Sequence, residues 1–292
     1  MAPLIDGQDG AEIALIGLGV IGGSAALRLH ERGTALRGFS SSAADRAAAS
    51  AAGIDVAASL DEAVNGVGVV LIAVPLDQTA SVAEAVIGCA SPRATILHAA
   101  SLQRAEALRG MPEVMGRIIG THPLAGSHLS GFRGARADLF RDATVFVERR
   151  ANAPQREDAE LLWSLSGARR IEYATAAGHD DAMAWISHLP QLASTALGST
   201  LAWGLASMSS DTPVPRPGPG ASDATRLAMS TLEMWQPILE RAPAATSLAL
   251  RALEGQLQRL RLAIEQQDSR AMQEIWETAH GWRAAAEREE GA

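Results

Sequence analysis

The stretch that most constrains the fold of this chain is an apolar run that leads into a glycine-rich loop and then a helical segment. The run Ile13–Ile16 reads as a buried strand, and G-L-G-V-I-G follows at residues 17–22. In a dinucleotide-binding βαβ unit, the first glycine permits the tight turn and the second lets the backbone approach the pyrophosphate. The third glycine lets the helix pack on the strand, with its N-terminus facing the phosphates. The predicted cofactor contacts here are Gly17, Gly19, Val20, Ile21 and Gly22.

The end of the second predicted strand, Leu36–Phe39, bears on which dinucleotide is bound. An NAD enzyme usually has an acidic residue there to bind the ribose 2′-hydroxyl, whereas this chain continues as S-S-S-A-A-D-R. Serine hydroxyls and an arginine suit a 2′-phosphate, so we favour NADP over NAD. In the alternative, Ser40 only caps the next helix and Arg46 lies in solvent, and Asp45 would serve NAD although it comes late. The predicted 2′-phosphate contacts are Ser40, Ser41, Ser42 and Arg46.

Strands alternate with helical segments well beyond this unit. The further predicted strands are Val67–Val74, Thr95–Leu97, Ile118–Thr121, Thr144–Val147 and Arg170–Tyr173. This alternation predicts an α/β Rossmann-type domain with a mostly parallel sheet. Ligands of such sheets lie beyond the carboxyl ends of the strands. The residues near these ends, expected to converge on one crevice, include Val74, Pro75 and Ser101 as cofactor contacts, and His122.

The pattern changes to helix after Tyr173, and we predict a dinucleotide-binding domain over 1–173 and an all-α domain over 174–292. Within the helical part, Pro190 implies a kink or break. Ser209–Gly220 contains four prolines and reads as a loop or mobile segment. Ser222 or Asp223 is the predicted N-cap of the helix that follows. The amphipathic stretches Ala244–Gln267 and Asp268–Arg288 predict long helices that pack against a second copy of the chain, forming a homodimer.

Composition excludes several kinds of chemistry and partner. The net charge is −8 and no basic face is visible, so we expect no nucleic-acid partner. All 25 basic residues are arginine, which removes Schiff-base lysine chemistry and the P-loop lysine. Cys89 is the only cysteine, which fits a reducing cytosol. We expect a cytoplasmic protein without a signal peptide, a membrane span or a metal site.

The stretch Ile118–Phe132 carries two candidate catalytic groups. A short apolar strand breaks into a loop rich in Gly, Ser and Pro that presents His122 and His128. Catalytic groups are often placed on a loop that follows a scaffold strand. From the residue types alone, either histidine could act as the base.

An ordered set of short motifs resembles the prephenate/arogenate dehydrogenase family of tyrosine biosynthesis. The matching pieces are G-L-G-V-I-G-G-S from Gly17, A-V-P from Ala73, G-T-H-P-L-A-G-S from Gly120, D-L-F from Asp138, H-D from His179, S-H-L-P from Ser187, D-A-T-R from Asp223 and M-W from Met234. The resemblance implies an N-terminal dinucleotide domain, a C-terminal helical domain that dimerises, and NAD(P)-dependent oxidative decarboxylation of a cyclohexadienyl substrate.

The resemblance also implies roles for individual residues. His122 matches the catalytic histidine, Ser101 the serine that assists it, and Arg226 the arginine that binds a substrate carboxylate. The positions near the substrate pocket are His188, Gln191, His128 and Trp235. In one arrangement, the partner subunit of a dimer would contribute Trp235. As alternatives, His188 and Trp235 are core residues and Arg226 is a surface ion-pair partner. We interpret His179-Asp180 as a bridge between domains or a helix cap rather than as direct chemistry.

Three departures from the family pattern surround the expected pocket. The usual Asp-x-x-Ser-x-Lys is here His98-Ala-Ala-Ser-Leu-Gln103, a usual glutamate is His128, and a frequent histidine is Gln191. They favour altered substrate recognition, so a second hypothesis is a dehydrogenase of a modified substrate such as 4-amino-4-deoxyprephenate. A third is a nucleotide-binding sensor that has lost catalysis, against which His122, Ser101 and Arg226 argue. A β-hydroxyacid dehydrogenase is disfavoured because that group needs a catalytic lysine.

Overall fold

A computed structural model of the chain describes residues 13–127, 129–208 and 217–290. A seven-stranded sheet flanked by helices forms the first part, and helices alone form the second. The strands are β1 Ile13–Ile16, β2 Leu36–Phe39, β3 Val69–Ile72, β4 Thr95–His98, β5 Ile119–Pro123, β6 Thr144–Glu148 and β7 Arg170–Ala174. The helices are α1 Val20–Glu31, α2 Ala43–Ala51, α3 Leu60–Val64, α4 Thr79–Cys89, α5 Ala105–Leu108, α6 Pro112–Arg117, α7 Ala153–Ser166, α8 Ala176–Met183, α9 Leu189–Ala206, α10 Pro219–Thr225, α11 Leu232–Arg241, α12 Pro243–Glu265 and α13 Ser269–Glu290.

The sheet has the order β2-β1-β3-β4-β5-β6-β7, and every neighbouring pair is parallel except β5 with β6. The central strands β1, β3 and β4 are buried at every residue, as expected when helices cover both faces of a parallel sheet. The predicted fold class, an α/β Rossmann-type domain with a mostly parallel sheet and an all-α C-terminal part, is confirmed. The division at residue 173 stays a prediction.

Alternation along β1 divides the core into two layers. Ile13 and Leu15 pack into one cluster with Trp163, whereas Ala14 and Ile16 pack into a second cluster on the opposite face. Successive side chains of a strand point to opposite faces, so a four-residue apolar strand contributes two residues to each layer. The sheet is therefore held from both sides, and the carboxyl ends of its strands form a rigid edge.

The expected end of β5 is corrected by its pairing with the next strand. The sequence predicts that the strand stops at Thr121 and that His122 follows it. In the structure β5 runs on to Pro123, because β6 pairs with it in antiparallel register and His122 lies opposite Phe146. His122 is thus fixed by its pairing with β6 rather than carried on a loop.

The sequence predicts a kink or a break at Pro190, and the structure has a π turn just before this residue with helical backbone on both sides. Helices α8 and α9 are joined by a single π turn, Ala184–His188, and Pro190 lies in the first turn of α9. A π turn inserted between α-helical segments is frequent at functional sites. Here it places His188 at the junction, with 2 % of its surface exposed.

The predicted N-cap of α10 is wrong. Gly218 is the N-cap and Pro219 starts the helix, so Ser222 and Asp223 lie inside it. Proline is favoured at the first helical position because its amide hydrogen would be unsatisfied there in any case. Residues 209–216 of the predicted loop lie outside the described residues. No helix among the described residues has the length and apolar character needed to cross a membrane.

Candidate active site

The glycine-rich loop between β1 and α1 has the shape of a dinucleotide cradle. Gly17 has a φ of +96°, and a Cβ there would lie 2.4 Å from the carbonyl oxygen of Ala73. A Cβ on Gly22 would lie 1.9 Å from the Gly17 oxygen, so both positions require glycine. A Cβ on Gly19, in contrast, would have no atom within 4 Å, which leaves open space beside the backbone. The start of α1 has no side-chain cap that would occupy its first N–H groups, so the residues present fit a pyrophosphate.

The residues after β2 are ordered by one another. Arg46 Nη1 donates to the carbonyl oxygens of Ser40 and Ser41 at 2.6 and 3.1 Å. The side chain that caps α2 is Ser42 rather than Ser40, since its Oγ accepts from the Asp45 amide at 3.2 Å. The guanidinium of Arg46 is therefore held at the end of β2 instead of extending freely into solvent.

Asp45 is already committed to another contact. Its Oδ1 accepts a hydrogen bond from the backbone N–H of Phe132 at 2.8 Å. The carboxylate thus ties the segment after β2 to the loop that follows β5. This hydrogen bond accounts for an acidic residue after β2 without requiring that Asp45 contact the ribose.

A pocket of about 140 Å³ lies between the carboxyl edge of the sheet and the helical part. It is lined by Ser101, His122, Met183, Ser187, His188, Met234, Trp235 and Ile238. Strand β5 contributes His122, the loop after β4 contributes Ser101, the π turn contributes His188, and α11 contributes Trp235. Four of the predicted site residues, separated widely in sequence, therefore meet in one pocket.

His122 lies in this pocket as a neutral imidazole. Burial lowers the pKa of His122 to about 3. The side chain is therefore unprotonated near neutral pH and has a lone pair with which to accept a proton. This is the protonation state required of a general base.

His188 and Trp235 form a second wall of the pocket. His188 Nδ1 lies 3.1 Å from Thr246 Oγ1 on α12, and the two rings of His188 and Trp235 pack edge to face at 5.9 Å. Burial lowers the pKa of His188, so this side chain is also uncharged. The indole N–H of Trp235 is buried and has no partner within the described part of the chain. It is a free donor toward a ligand.

Two predicted substrate residues lie outside the pocket lining. Gln191 is buried and donates to the carbonyl oxygen of Leu227 at 2.9 Å, which anchors the 3₁₀ turn Arg226–Met229. Arg226 begins that turn and is exposed. Its backbone N–H donates to the Asp223 carbonyl oxygen, whereas its guanidinium has no hydrogen-bond or ion-pair partner among the described residues. His128 lies outside the described residues.

The two changed positions around Ser101 lie beneath its loop rather than in the pocket. His98 is 1 % exposed, and burial together with the charge of Arg150 lowers its pKa to about 3. Gln103 Nε2 donates to the Ala100 oxygen at 2.6 Å. An uncharged pair thus supports the Ser101 loop where the family usually has an acid and a lysine. Neither residue lines the pocket.

The sequence interpretation missed a contact of His122. His122 Nδ1 lies 2.9 Å from His179 Nε2, and His179 Nδ1 lies 2.8 Å from Asp180 Oδ1. Asp180 also accepts from the backbone N–H groups of Gln103 and Arg104, at 2.8 and 3.0 Å. The expected bridge between the two parts of the chain therefore exists. The cap of α8, in contrast, is Thr175.

Comparison with known proteins follows the same division of the chain. Residues 24–172 match the family model for the prephenate dehydrogenase nucleotide-binding domain, and residues 175–278 match that for the prephenate dehydrogenase dimerization domain. A cyclohexadienyl dehydrogenase from Zymomonas mobilis is 31 % identical over 274 residues, which are 88 % of this chain and 89 % of the relative. A prephenate dehydrogenase from Lactococcus lactis is 26 % identical and covers 96 % of this chain and 79 % of its own.

Solved structures agree in fold. The prephenate dehydrogenase of A. aeolicus, solved with hydroxyphenyl propionate and NAD+, superposes with a TM-score of 0.82 at 22 % identity. The match covers 94 % of this chain and 98 % of that one. Synechocystis arogenate dehydrogenase gives a TM-score of 0.76 at 25 % identity, over 94 % and 99 % of the two chains. With two family models that match in order over most of its length, the chain belongs to the prephenate dehydrogenase family.

Proposed function

We propose that the protein catalyses the NAD(P)-dependent oxidative decarboxylation of a prephenate-like cyclohexadienyl substrate, as a prephenate or arogenate dehydrogenase. The observation that carries this proposal is the position of His122. It lies as a neutral imidazole in a pocket with Ser101, at the same sheet edge as the glycine-rich loop. A base, a hydrogen-bonding hydroxyl and a dinucleotide cradle are the groups that this reaction requires.

The residues divide the reaction between them. The nicotinamide, when bound, supplies the acceptor for the hydride that leaves the carbinol carbon. His122 takes the proton of the substrate hydroxyl as that carbon becomes a carbonyl. Ser101 hydrogen-bonds the same oxygen and orients it toward the imidazole. Loss of the ring carboxylate as CO₂ then returns the electron pair to the ring, which becomes aromatic.

Arg226 is proposed to bind a substrate carboxylate. A guanidinium can hold a carboxylate through two parallel hydrogen bonds, and Arg226 has no competing partner among the described residues. It begins the 3₁₀ turn that Gln191 anchors, so Gln191 acts through the position of this turn. The free indole N–H of Trp235 is a second donor for the substrate.

A homodimer formed by the C-terminal helices is part of the proposal. The matching family model is that of a dimerization domain. Helices α12 and α13 pack against each other, yet Trp276 and Trp282 on α13 are 62 % and 70 % exposed. Large exposed apolar side chains on an amphipathic helix are typical of an interaction face. A second copy would cover them.

NADP is proposed as the preferred dinucleotide, and Arg46 gives the test. With two carbonyl oxygens accepting from its Nη1, the rest of the guanidinium remains available to a 2′-phosphate. Arg46→Ala should weaken NADPH binding roughly tenfold, the effect of one lost charge-assisted hydrogen bond, and leave NADH binding nearly unchanged. Titration of both nucleotides by fluorescence measures this. Arg28→Ala, an arginine on α1 paired with Glu31, is the control. Equal losses for the two nucleotides would refute the preference.

The activity itself is tested at 340 nm. Purified protein would be offered prephenate, arogenate and 4-amino-4-deoxyprephenate, each with NAD and with NADP. Reduction of nucleotide with prephenate or arogenate supports the proposal. Reduction of nucleotide with 4-amino-4-deoxyprephenate alone would show instead that the protein acts on the modified substrate. No reduction in any pairing would refute dehydrogenase function.

A further inference from the structure

The chain of contacts behind His122 ends on a carboxylate that is held firmly. Asp180 is 2 % exposed and accepts backbone N–H groups from Gln103 and Arg104 as well as the ring of His179. An ionised carboxylate accepts hydrogen bonds and donates none. The Nδ1 atom of His179, 2.8 Å from this carboxylate, must therefore carry the proton of that hydrogen bond.

The tautomer of His179 determines that of His122. In a neutral imidazole one nitrogen donates and the other accepts. With its proton on Nδ1, His179 can only accept at Nε2, so the His122 Nδ1 atom at 2.9 Å must donate. The remaining nitrogen of His122, Nε2, is then unprotonated. His122 lines the substrate pocket and His179 does not, so the free lone pair lies on the pocket side.

We propose that His179, oriented by Asp180, is a positioning residue that fixes His122 in its Nδ1–H tautomer and so makes Nε2 the base. This inference rests on the proposed function for its catalytic consequence. The substrate hydroxyl proton passes to Nε2, while the Nδ1 proton stays in the hydrogen bond to His179. The positive charge formed on His122 then lies next to the Nε2 lone pair of His179. The other ring nitrogen of His179 is hydrogen-bonded to the Asp180 carboxylate.

The packing around His179 suits a fixed orientation. Its ring packs edge to face on Phe146 at a centroid distance of 5.1 Å and on His122 at 5.0 Å. Phe146 lies directly opposite His122 in the β5–β6 pairing, so the same strand pair holds both partners of His179. With 2 % of its surface exposed, the ring is shielded from bulk solvent.

Because His122 is buried, its role as a base requires the hydrogen bond to His179 and, through it, Asp180. A largely desolvated imidazole with a low pKa is a poor proton acceptor, since the cation it forms is poorly hydrated. A hydrogen bond from Nδ1–H to a fixed acceptor stabilises that cation. The same hydrogen bond leaves the Nε2 lone pair of the neutral imidazole free to accept a proton. The His-Asp pair therefore supplies the stabilisation that solvent supplies to an exposed histidine.

The test uses histidine NMR on the full-length protein, with turnover as a second measurement. Protein labelled with ¹⁵N-histidine has seven imidazoles, and the loss of one set of signals in His122→Asn assigns that residue. We expect His122 to show a protonated Nδ1 and an unprotonated Nε2. Protonation of Nε2 instead would overturn the proposal without reference to any substrate.

Two variants of His179 separate positioning from packing. His179→Phe fills the space but accepts no hydrogen bond, so His122 should lose its fixed tautomer and kcat should fall roughly 10- to 100-fold. His179→Gln places an amide oxygen where Nε2 was, and it should restore both the tautomer and most of kcat. Asp181→Asn, in an exposed ion pair with Arg104, is the matched control and should change neither.

The outcomes distinguish this inference from the proposed function. A wild-type protein that reduces no nucleotide refutes the function, yet its NMR spectrum still tests the tautomer. A His179→Phe variant that keeps the tautomer and kcat of the wild type would overturn the role of His179. A Gln variant with a restored tautomer and the kcat of the Phe variant would overturn it too. Should the Phe variant not fold, the wild-type and Gln spectra still decide.

Discussion

His122→Asn is expected to lower kcat by roughly 10²–10⁴, the contribution typical of a positioned general base. Asparagine is similar in size and its amide can still donate to His179, so the fold around the pocket should persist. What it lacks is a nitrogen lone pair that can take up the substrate proton. The hydride and the proton leave the same carbinol group, so without a base the carbinol oxygen would have to carry positive charge as hydride departs.

The nucleotide site should be unaffected by this substitution. The glycine-rich loop follows β1, whereas His122 lies on β5, and β3 and β4 stand between them in the sheet. NADPH titration should therefore give the wild-type Kd while turnover is lost. His30→Asn, an exposed histidine on α1, provides the matched control and should keep full activity. Turnover of His122→Asn near the wild-type value would exclude His122 as the base.

The fold could be predicted to the extent that it depends on local patterns. Local signals mark the strand Ile13–Ile16, the glycine loop and the alternation of strands and helices after them. Each of these shows a hydrophobic period or a turn residue within a few positions. The end of β5 could not be predicted this way, because β6 pairs with it in antiparallel register and extends it to Pro123. That pairing depends on the backbone of β6, which is distant in the sequence. The residues close to β5 therefore give no indication of it. Pro219, which starts α10, belongs to the proline-rich stretch that the sequence predicts as a loop, so the start of this helix was placed too late.

The candidate site divides along the same line. Ser101 and His122 follow from strand positions, because carboxyl ends of parallel strands meet at one edge. The contact between His122 and His179 joins residues separated by 57 positions across the two parts of the chain, and no spacing rule reports it. The His-Asp dipeptide was the available signal. The sequence interpretation of this dipeptide is a bridge between domains or a helix cap, and the bridging hydrogen bonds to Gln103 and Arg104 are present alongside the contact to His122.

Acid should destabilise this protein by a route that can be assigned to His98. Burial lowers the pKa of His98 from 6.5 to about 3 in the folded protein. As the pH falls below 6.5, the unfolded chain binds a proton at this position and the folded chain does not. Stability is therefore complete above pH 6.5 and is lost as the pH falls toward 3, at about 1.4 kcal/mol per pH unit. His98 alone should remove about 2 kcal/mol of unfolding free energy between pH 7 and pH 5.

His98→Asn isolates this contribution from the other titrating groups. The asparagine oxygen can replace Nδ1 as the acceptor for the Ala100 amide, a contact of 3.4 Å, and it does not titrate. Urea unfolding at pH 7 and pH 5 should show that the variant loses about 2 kcal/mol less than the wild type, whatever its stability at pH 7. His122 adds a smaller part, because its ring borders the open pocket and hydration there reduces the penalty for its charge. Equal losses in wild type and His98→Asn would show that His98 is protonated in the folded protein, and its imidazole resonance would then titrate well above pH 4.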